Sequence, residues 1–419
     1  MEAFWRRVAA LAVAGLLLSA CAERPHGVLT PTGGAQASGT SRVEMLIATT
    51  RSAEGALPGE LFTGERGEGL AFADIAISLP PDSMRKIGDV QWPQSSPPDP
   101  LRDFVTLRAD RLDRAAALAR FDARIVKTPH RQVLVFVHGF NTRFEEAVYR
   151  FAQIAHDTGS SALPVLFTWP SRGKLLAYGY DHESASYSRD ALETVLQNLA
   201  RDPSVGEISI LAHSMGNWVT IEALRQMAIR NHGLPAKITG VMLAAPDVDF
   251  DVFQRQIAQI GAASARFTIF VSRDDEALAA SRRVWGDKPR LGAIDPTSAP
   301  FKEDLRADRV SIEDLTGVNS DDPLRHGTFA QAPEVVRLIG QRLAGGQALS
   351  DAHSGIGDKL GQIAVGAAGT VGSAAGVAIA APFAIIDPRT RENLGDNFEQ
   401  VGSHLGDAVD ASGAALGAR

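Results

Sequence analysis

The stretch that most constrains this chain is Ile208-Ser209-Ile210-Leu211, followed without a break by Ala212-His213-Ser214-Met215-Gly216 and by a helical pattern from Asn217 onward. A short apolar run bounded by turn residues reads as a strand, and the pattern after it reads as a helix. Passing from one to the other this sharply puts the apex residue in a strained conformation. The residues two before and two after it must then be small. Ala212 and Gly216 meet that demand, alanine standing where such turns usually carry glycine. The apex is Ser214, at the start of a helix, where backbone N–H groups and the helix dipole favour developing negative charge. A small-x-Ser-x-Gly string is common by chance in loops, and the flanking strand and helix set this one apart.

A serine hydroxyl is a poor nucleophile at neutral pH and needs a base that titrates near the working range. The chain has ten histidines, so position must choose among them. His26 lies in a linker-like segment, and His353 and His404 lie in the tail. His213 neighbours the serine but points elsewhere around the turn. His326 follows the last strand pattern, Val310–Leu315, in a loop rich in Asp, Asn and Gly, and is the expected base. A carboxylate must fix the imidazole tautomer. Asp274 and Asp275 follow the strand pattern Phe267–Val271, and Asp247 and Asp249 follow the one before it. Spacing alone leaves the choice open, because loop and cap aspartates are common. An oxyanion should be held by the Met215 amide and by a second N–H from early in the sheet. The run Val133–Val137 ends in His138-Gly139-Phe140-Asn141, which resembles a His-Gly oxyanion loop, and that resemblance implies Phe140 as the second donor. His138 itself is expected to be a structural hydrogen bonder. Trp169, Arg172, Tyr178 and Asp181 follow a strand at the same edge and could shape a pocket or simply pack a loop.

The frame around these residues alternates strand and helix. Strands are expected at Val43–Ala48, Ile75–Leu79, Val133–Val137, Val165–Thr168, Ile208–Ala212, Val241–Ala245, Phe267–Val271 and Val310–Leu315. Helices are expected at Arg143–Thr158, Ser186–Ala200 and Trp218–Arg230, with a charged helix over Arg108–Arg124 after a proline-rich stretch. That order predicts an α/β fold, a mostly parallel doubly wound sheet with helices on both faces. The expected domain is 42–345. Residues 21–41 read as a flexible tether, and 346–419 as a Gly/Ala-rich tail, either membrane-associated or weakly docked.

Residues 1–20 read as an export signal, with Arg6 and Arg7 before the apolar run Val8–Leu18. Leu18-Ser19-Ala20-Cys21 resembles the bacterial lipobox, in which the cysteine is lipidated. Cys21 is the sole cysteine, so intramolecular disulfides and multi-thiolate zinc sites are excluded. A net charge of −7 with no basic stripe argues against nucleic acid as a partner.

Together, Phe136–Asn141, Phe167-Thr168-Trp169-Pro170-Ser171-Arg172, Ala212–Asn217, Ala244-Ala245-Pro246-Asp247, Ser272–Leu278 and Pro289-Arg290-Leu291-Gly292 resemble the α/β-hydrolase superfamily. The likeness extends to Ala48-Thr49-Thr50-Arg51 at the first strand. Within the superfamily the chain is similar to a bacterial esterase/lipase-like group of largely unknown function. The resemblance implies Asp275 as the acid, an esterase or lipase-like activity through an acyl-enzyme, and no metal or organic cofactor. An acyltransferase using the same residues and a non-catalytic envelope scaffold are the alternatives. The signal implies a lipid-anchored place in the cell envelope, on the periplasmic side and at the outer membrane, with small-molecule or lipid esters as substrates.

Overall fold

A computed structural model describes residues 26–33, 36–261, 265–299, 301 and 310–344. The first three strands, β1 (Ser41–Arg51), β2 (Arg66–Leu79) and β3 (Val105–Leu112), form an antiparallel edge. Strands and helices then alternate through α1 (Arg114–Ile125), β4 (Gln132–Val137), α2 (Phe144–Asp157), β5 (Leu163–Thr168), α3 (Tyr178–Arg201), β6 (Glu207–His213) and α4 (Gly216–Asn231). The alternation continues with β7 (Ile238–Ala244), α5 (Phe250–Ile260), β8 (Arg266–Val271), α6 (Glu276–Val284) and β9 (Val310–Asp314), and ends in α7 (Thr328–Gln331) and α8 (Pro333–Ala344). One nine-stranded sheet results, in the order β3-β2-β1-β5-β4-β6-β7-β8-β9. Among these strands only β2 runs against the rest.

Both faces of the central strands are covered, which is why β4 to β8 are largely apolar. In β4, Val133, Val135 and Val137 join one core with Leu192 and Leu196 of α3 and Val219 and Leu224 of α4. Leu134 and Phe136 join the other, with Phe144 and Phe151 of α2 and Ile339 of α8. The C-terminal ends of β4 to β9 all point to one edge, where their loops converge as open α/β sheets demand.

Three expectations are corrected. Residues 105–112, expected to open a helix at Arg108, form β3, and the helix starts only at Arg114, where the Asp113 carboxylate accepts the Ala116 amide at 2.8 Å. The charges that suggested a helix instead converge from β3 and α1 on one buried carboxylate of β2. Buried Asp74 of β2 takes Arg108 at 3.0 Å and Arg124 at 2.7 Å. Second, α3 begins at Tyr178, eight residues before the expected Ser186, because its first two turns carry Gly and polar residues that mask the helical period. Third, part of the expected tether is docked: Leu29 is buried in the core beside β1 and β2, and the Thr32 amide donates to Thr106 O of β3. The expected signal at 1–20, the lipid site Cys21 and the tail 346–419 lie outside the described residues. No described helix is long and apolar enough to cross a membrane.

Candidate active site

The sharp turn forms as its sequence requires. Ser214 leaves β6 with φ of +52° and α4 begins two residues later. A non-glycine residue at positive φ costs on the order of 1–3 kcal/mol, so its surroundings must hold it there. The Ser214 amide donates to Ala244 O at 3.0 Å, and the Asn217 side-chain amide donates to both Ser214 O (2.9 Å) and Ala244 O (3.0 Å). Small neighbours are needed because the loop after β4 passes directly over the turn. A Cβ on Gly216 would sit 2.3 Å from His138 O, and one on Gly139 would sit 2.8 Å from the Ser214 Cβ. This close approach brings the Gly139–Phe140 peptide to the serine. Among the described residues, the amides of Phe140 and Met215 donate no hydrogen bond.

His326 lies in the loop between β9 and α7. Its Nδ1 is 2.7 Å from Asp275 Oδ2. Asp275 is buried, and its other oxygen, Oδ1, accepts the Leu278 amide at 2.9 Å as the N-cap of α6. A carboxylate fixed by its own helix thus faces the imidazole, which therefore carries its neutral-state proton on Nδ1 and leaves Nε2 as the acceptor. Burial pulls the His326 pKa down, but the charge of Asp275 and its hydrogen bond outweigh that, and the pKa lies above the ordinary 6.5. The ring of His213 packs 4.7 Å from that of His326, and its Nε2 is 3.2 Å from His326 O. Burial, and after it the neighbouring His326, keep His213 well below 6.5, so it is neutral and donates from Nε2. Residue 213 thereby ties the His326 loop to the Ser214 turn. Among the described residues Ser214 Oγ makes no hydrogen bond, so the serine–histidine bond is open.

The other candidate acids are engaged elsewhere. Asp247 is buried and accepts Arg290 Nε (2.7 Å), Ser281 Oγ (2.6 Å) and Tyr178 OH (2.9 Å). Asp274 pairs with Arg325 and takes the Gly317 amide at 3.1 Å. Asp249 caps α5 through the Val252 amide. Of the four candidates, Asp275 is the one hydrogen-bonded to His326.

Sequence reasoning missed a buried network behind the loop 138–142. Arg51, at the end of β1, is 1% exposed. Its guanidinium donates to Thr168 Oγ1 (2.9 Å), Ser171 O (2.9 Å), Thr142 O (2.8 Å) and Thr63 O (3.2 Å), with Nη2 3.3 Å from His138 Nε2. Burial lowers its pKa to about 10, which leaves it charged at neutral pH. Ser171 Oγ accepts the Thr142 amide (3.0 Å) and donates to Asp181 (2.5 Å), so Asp181 supports the loop from beneath. Tyr178 sets its ring edge-on to Phe140 at 4.9 Å. Arg172 is at the surface, its guanidinium over the Tyr180 ring. The one available signal was Thr49-Thr50-Arg51, an arginine ending an apolar strand.

Among the described residues one trio of possible metal donors lies together, His26, Glu60 and Glu145. The guanidinium of Arg143 sits among them, 2.9 Å from His26 Nε2 and 3.3 Å from Glu145 Oε1, and supplies the cation there.

A family model described as an alpha/beta hydrolase of unknown function (DUF900) matches residues 113–342, more than half of the chain. An uncharacterised protein from Nostoc sp. is 26% identical over a stretch equal to 26% of this chain and 34% of its own length, so the chain spans about a third of that curated relative. Two solved structures show a distant likeness. A lipase-esterase related protein from Clostridium acetobutylicum has 11% identity and a TM-score of 0.29, covering 52% of this chain and 95% of its own. A fungal esterase from Rhizomucor miehei has 10% identity and a TM-score of 0.30, covering 80% and 90%. Scores this low carry no argument about substrate or mechanism. On the family match, and with the sheet and turn described above, the chain belongs to this alpha/beta-hydrolase family of unknown function.

Proposed function

We propose that the chain is a serine hydrolase that cleaves carboxylic esters, with Ser214 as nucleophile, His326 as general base and Asp275 as the carboxylate that orients it. The observation that carries this reading is the 2.7 Å bond from His326 Nδ1 to Asp275 Oδ2, beside a serine held at positive φ. His326 Nε2 takes the Ser214 proton as Oγ attacks the ester carbonyl carbon. The amides of Phe140 and Met215 receive the oxyanion, each donor typically contributing on the order of 10²–10³ in rate. Collapse expels the alcohol, protonated by His326, and leaves an acyl-enzyme. Water, deprotonated by the same histidine, releases the acid and restores Ser214.

A series of p-nitrophenyl esters of increasing chain length tests this. Wild type should show a burst of nitrophenol and an acyl adduct in the intact mass, and Ser214→Ala should show neither. Product analysis with added alcohols reads whether water or another acceptor takes the acyl group. We further propose that Cys21 carries a lipid and holds the domain at the cell envelope, a reading that rests on the N-terminal sequence alone. Metabolic labelling with palmitate should mark the wild type and not Cys21→Ala, and fractionation of unlabelled intact protein with the cytosol would refute it.

A further inference from the structure

Behind the loop that carries Phe140 lies a chain of hydrogen bonds the mechanism above does not use. His138 is 2% exposed, stacked on Trp169 with ring centroids 4.9 Å apart. Two donors converge on its Nε2, the Trp169 amide at 3.2 Å and Arg51 Nη2 at 3.3 Å. Neither has a lone pair to offer, so Nε2 must accept. A neutral imidazole has one donor and one acceptor nitrogen, so the proton must be on Nδ1. Nδ1 is 2.8 Å from Gly139 O and donates to it. The Gly139–Phe140 peptide is trans and planar, so its C=O and N–H point in opposite directions. Holding Gly139 O against the buried ring therefore aims the Phe140 N–H the other way, on the side of the peptide away from the ring. The rest of the loop is clamped to match. Trp169 Nε1 donates to His138 O (2.8 Å), Thr142 Oγ1 to Phe140 O (3.1 Å) and Arg51 to Thr142 O (2.8 Å).

We infer that His138 is a positioning residue for the oxyanion: Arg51 and the Trp169 amide fix its tautomer, its Nδ1–H fixes the Gly139–Phe140 peptide, and that peptide presents its N–H to the substrate oxygen. The inference rests on the proposed hydrolase reading for its consequence in rate, though not for its geometry. Protonating the ring would place an N–H against the guanidinium. Burial first, and the Arg51 charge after it, hold its pKa down to about 3, so the donor is kept across the range in which His326 works.

Three substitutions separate this role from simple packing. His138→Asn puts an amide N–H near the place of Nδ1, His138→Gln puts its amide near Nε2, and His138→Phe keeps the stack on Trp169 but has no donor. With esters, Asn should stay within about 10-fold of wild-type kcat, while Gln and Phe lose on the order of 10²–10³, the value of one oxyanion donor. KM should change little. Affinity for a trifluoromethyl ketone, whose adduct with Ser214 bears the oxyanion, should fall in step with kcat. Phe as active as wild type, or Asn as impaired as Gln, overturns the inference. Nitrogen NMR on histidine-labelled wild type tests the geometric premise without any variant or activity. His138 should show a protonated Nδ1 and bare Nε2 with no titration between about pH 5 and 8, and a protonated Nε2 or a titration in that range refutes it. A wild type with that tautomer but no esterase activity would sink the hydrolase reading and leave standing the fixed tautomer and peptide orientation.

Discussion

Replacing Asp275 with asparagine inverts a single hydrogen bond and leaves the fold in place. The amide oxygen of the new side chain would still accept the Leu278 amide, which Asp275 Oδ1 takes at 2.9 Å, and asparagine caps a helix about as well as aspartate. Its amide nitrogen would replace Oδ2, 2.7 Å from His326 Nδ1, and set a donor against a donor. The imidazole must then move its proton to Nε2, which removes the lone pair that takes the Ser214 proton in the proposed mechanism. A tautomer inverted in this way lowers kcat by on the order of 10⁴, about 5.5 kcal/mol of transition-state stabilisation. Melting should shift by less than about 4 °C. The pH profile carries a second signature. Because the His326 pKa lies above 6.5, the acid limb of wild-type kcat/KM should have its midpoint above 6.5, the base being needed neutral. Without Asp275 only burial remains among the two leading influences, and the limb of the residual activity should fall below 6.5. Steady-state kinetics with a p-nitrophenyl ester from about pH 5 to 9 reads both effects. A variant with more than about a tenth of wild-type kcat and an unmoved limb would refute the reasoning.

The raised His326 pKa also predicts a pH dependence of stability. Its ion pair with Asp275 stabilises the fold fully below 6.5, where the unfolded histidine is protonated too, and that share is lost as pH rises through the folded value. Urea titrations above about pH 6 should show a falling midpoint in wild type and a flatter one in Asp275→Asn. Gly216→Ala brings a Cβ within 2.3 Å of His138 O and 2.7 Å of Val137 O, both backbone atoms, and should cost about 1–3 kcal/mol and most of the activity by displacing the loop. Asp247→Asn leaves the Arg290 guanidinium buried without its counter-charge. It should cost about 3–5 kcal/mol in denaturant titration while the folded fraction keeps its reactive serine.

The fold was legible where hydrophobic runs were unbroken. The strands from β4 to β8 are built on compact apolar runs, and sequence placed each of them, and the alternating β9, within a few residues. β3 was not legible, because its charged residues read as a helix face, and the partners of Arg108, Asp74 of β2 and Glu44 of β1, cannot be seen in a linear reading. In the site, the turn at Ser214 announces itself through local sterics. Asp275 and Asp274 are adjacent in sequence, so spacing could not separate them. What divides them is that one caps α6 and turns towards His326 while the other turns to Arg325. The role of Arg51 was hidden for a different reason: its acceptors are mostly backbone carbonyls from separate loops, and carbonyls leave no mark in sequence.

Treatment of the purified protein with a fluorophosphonate, followed by peptide mass mapping, tests the central claim most directly. The account predicts one covalent adduct on Ser214, absent in Ser214→Ala and strongly slowed in His326→Ala. No adduct on folded wild type, or an adduct on another residue that persists in Ser214→Ala, would contradict it.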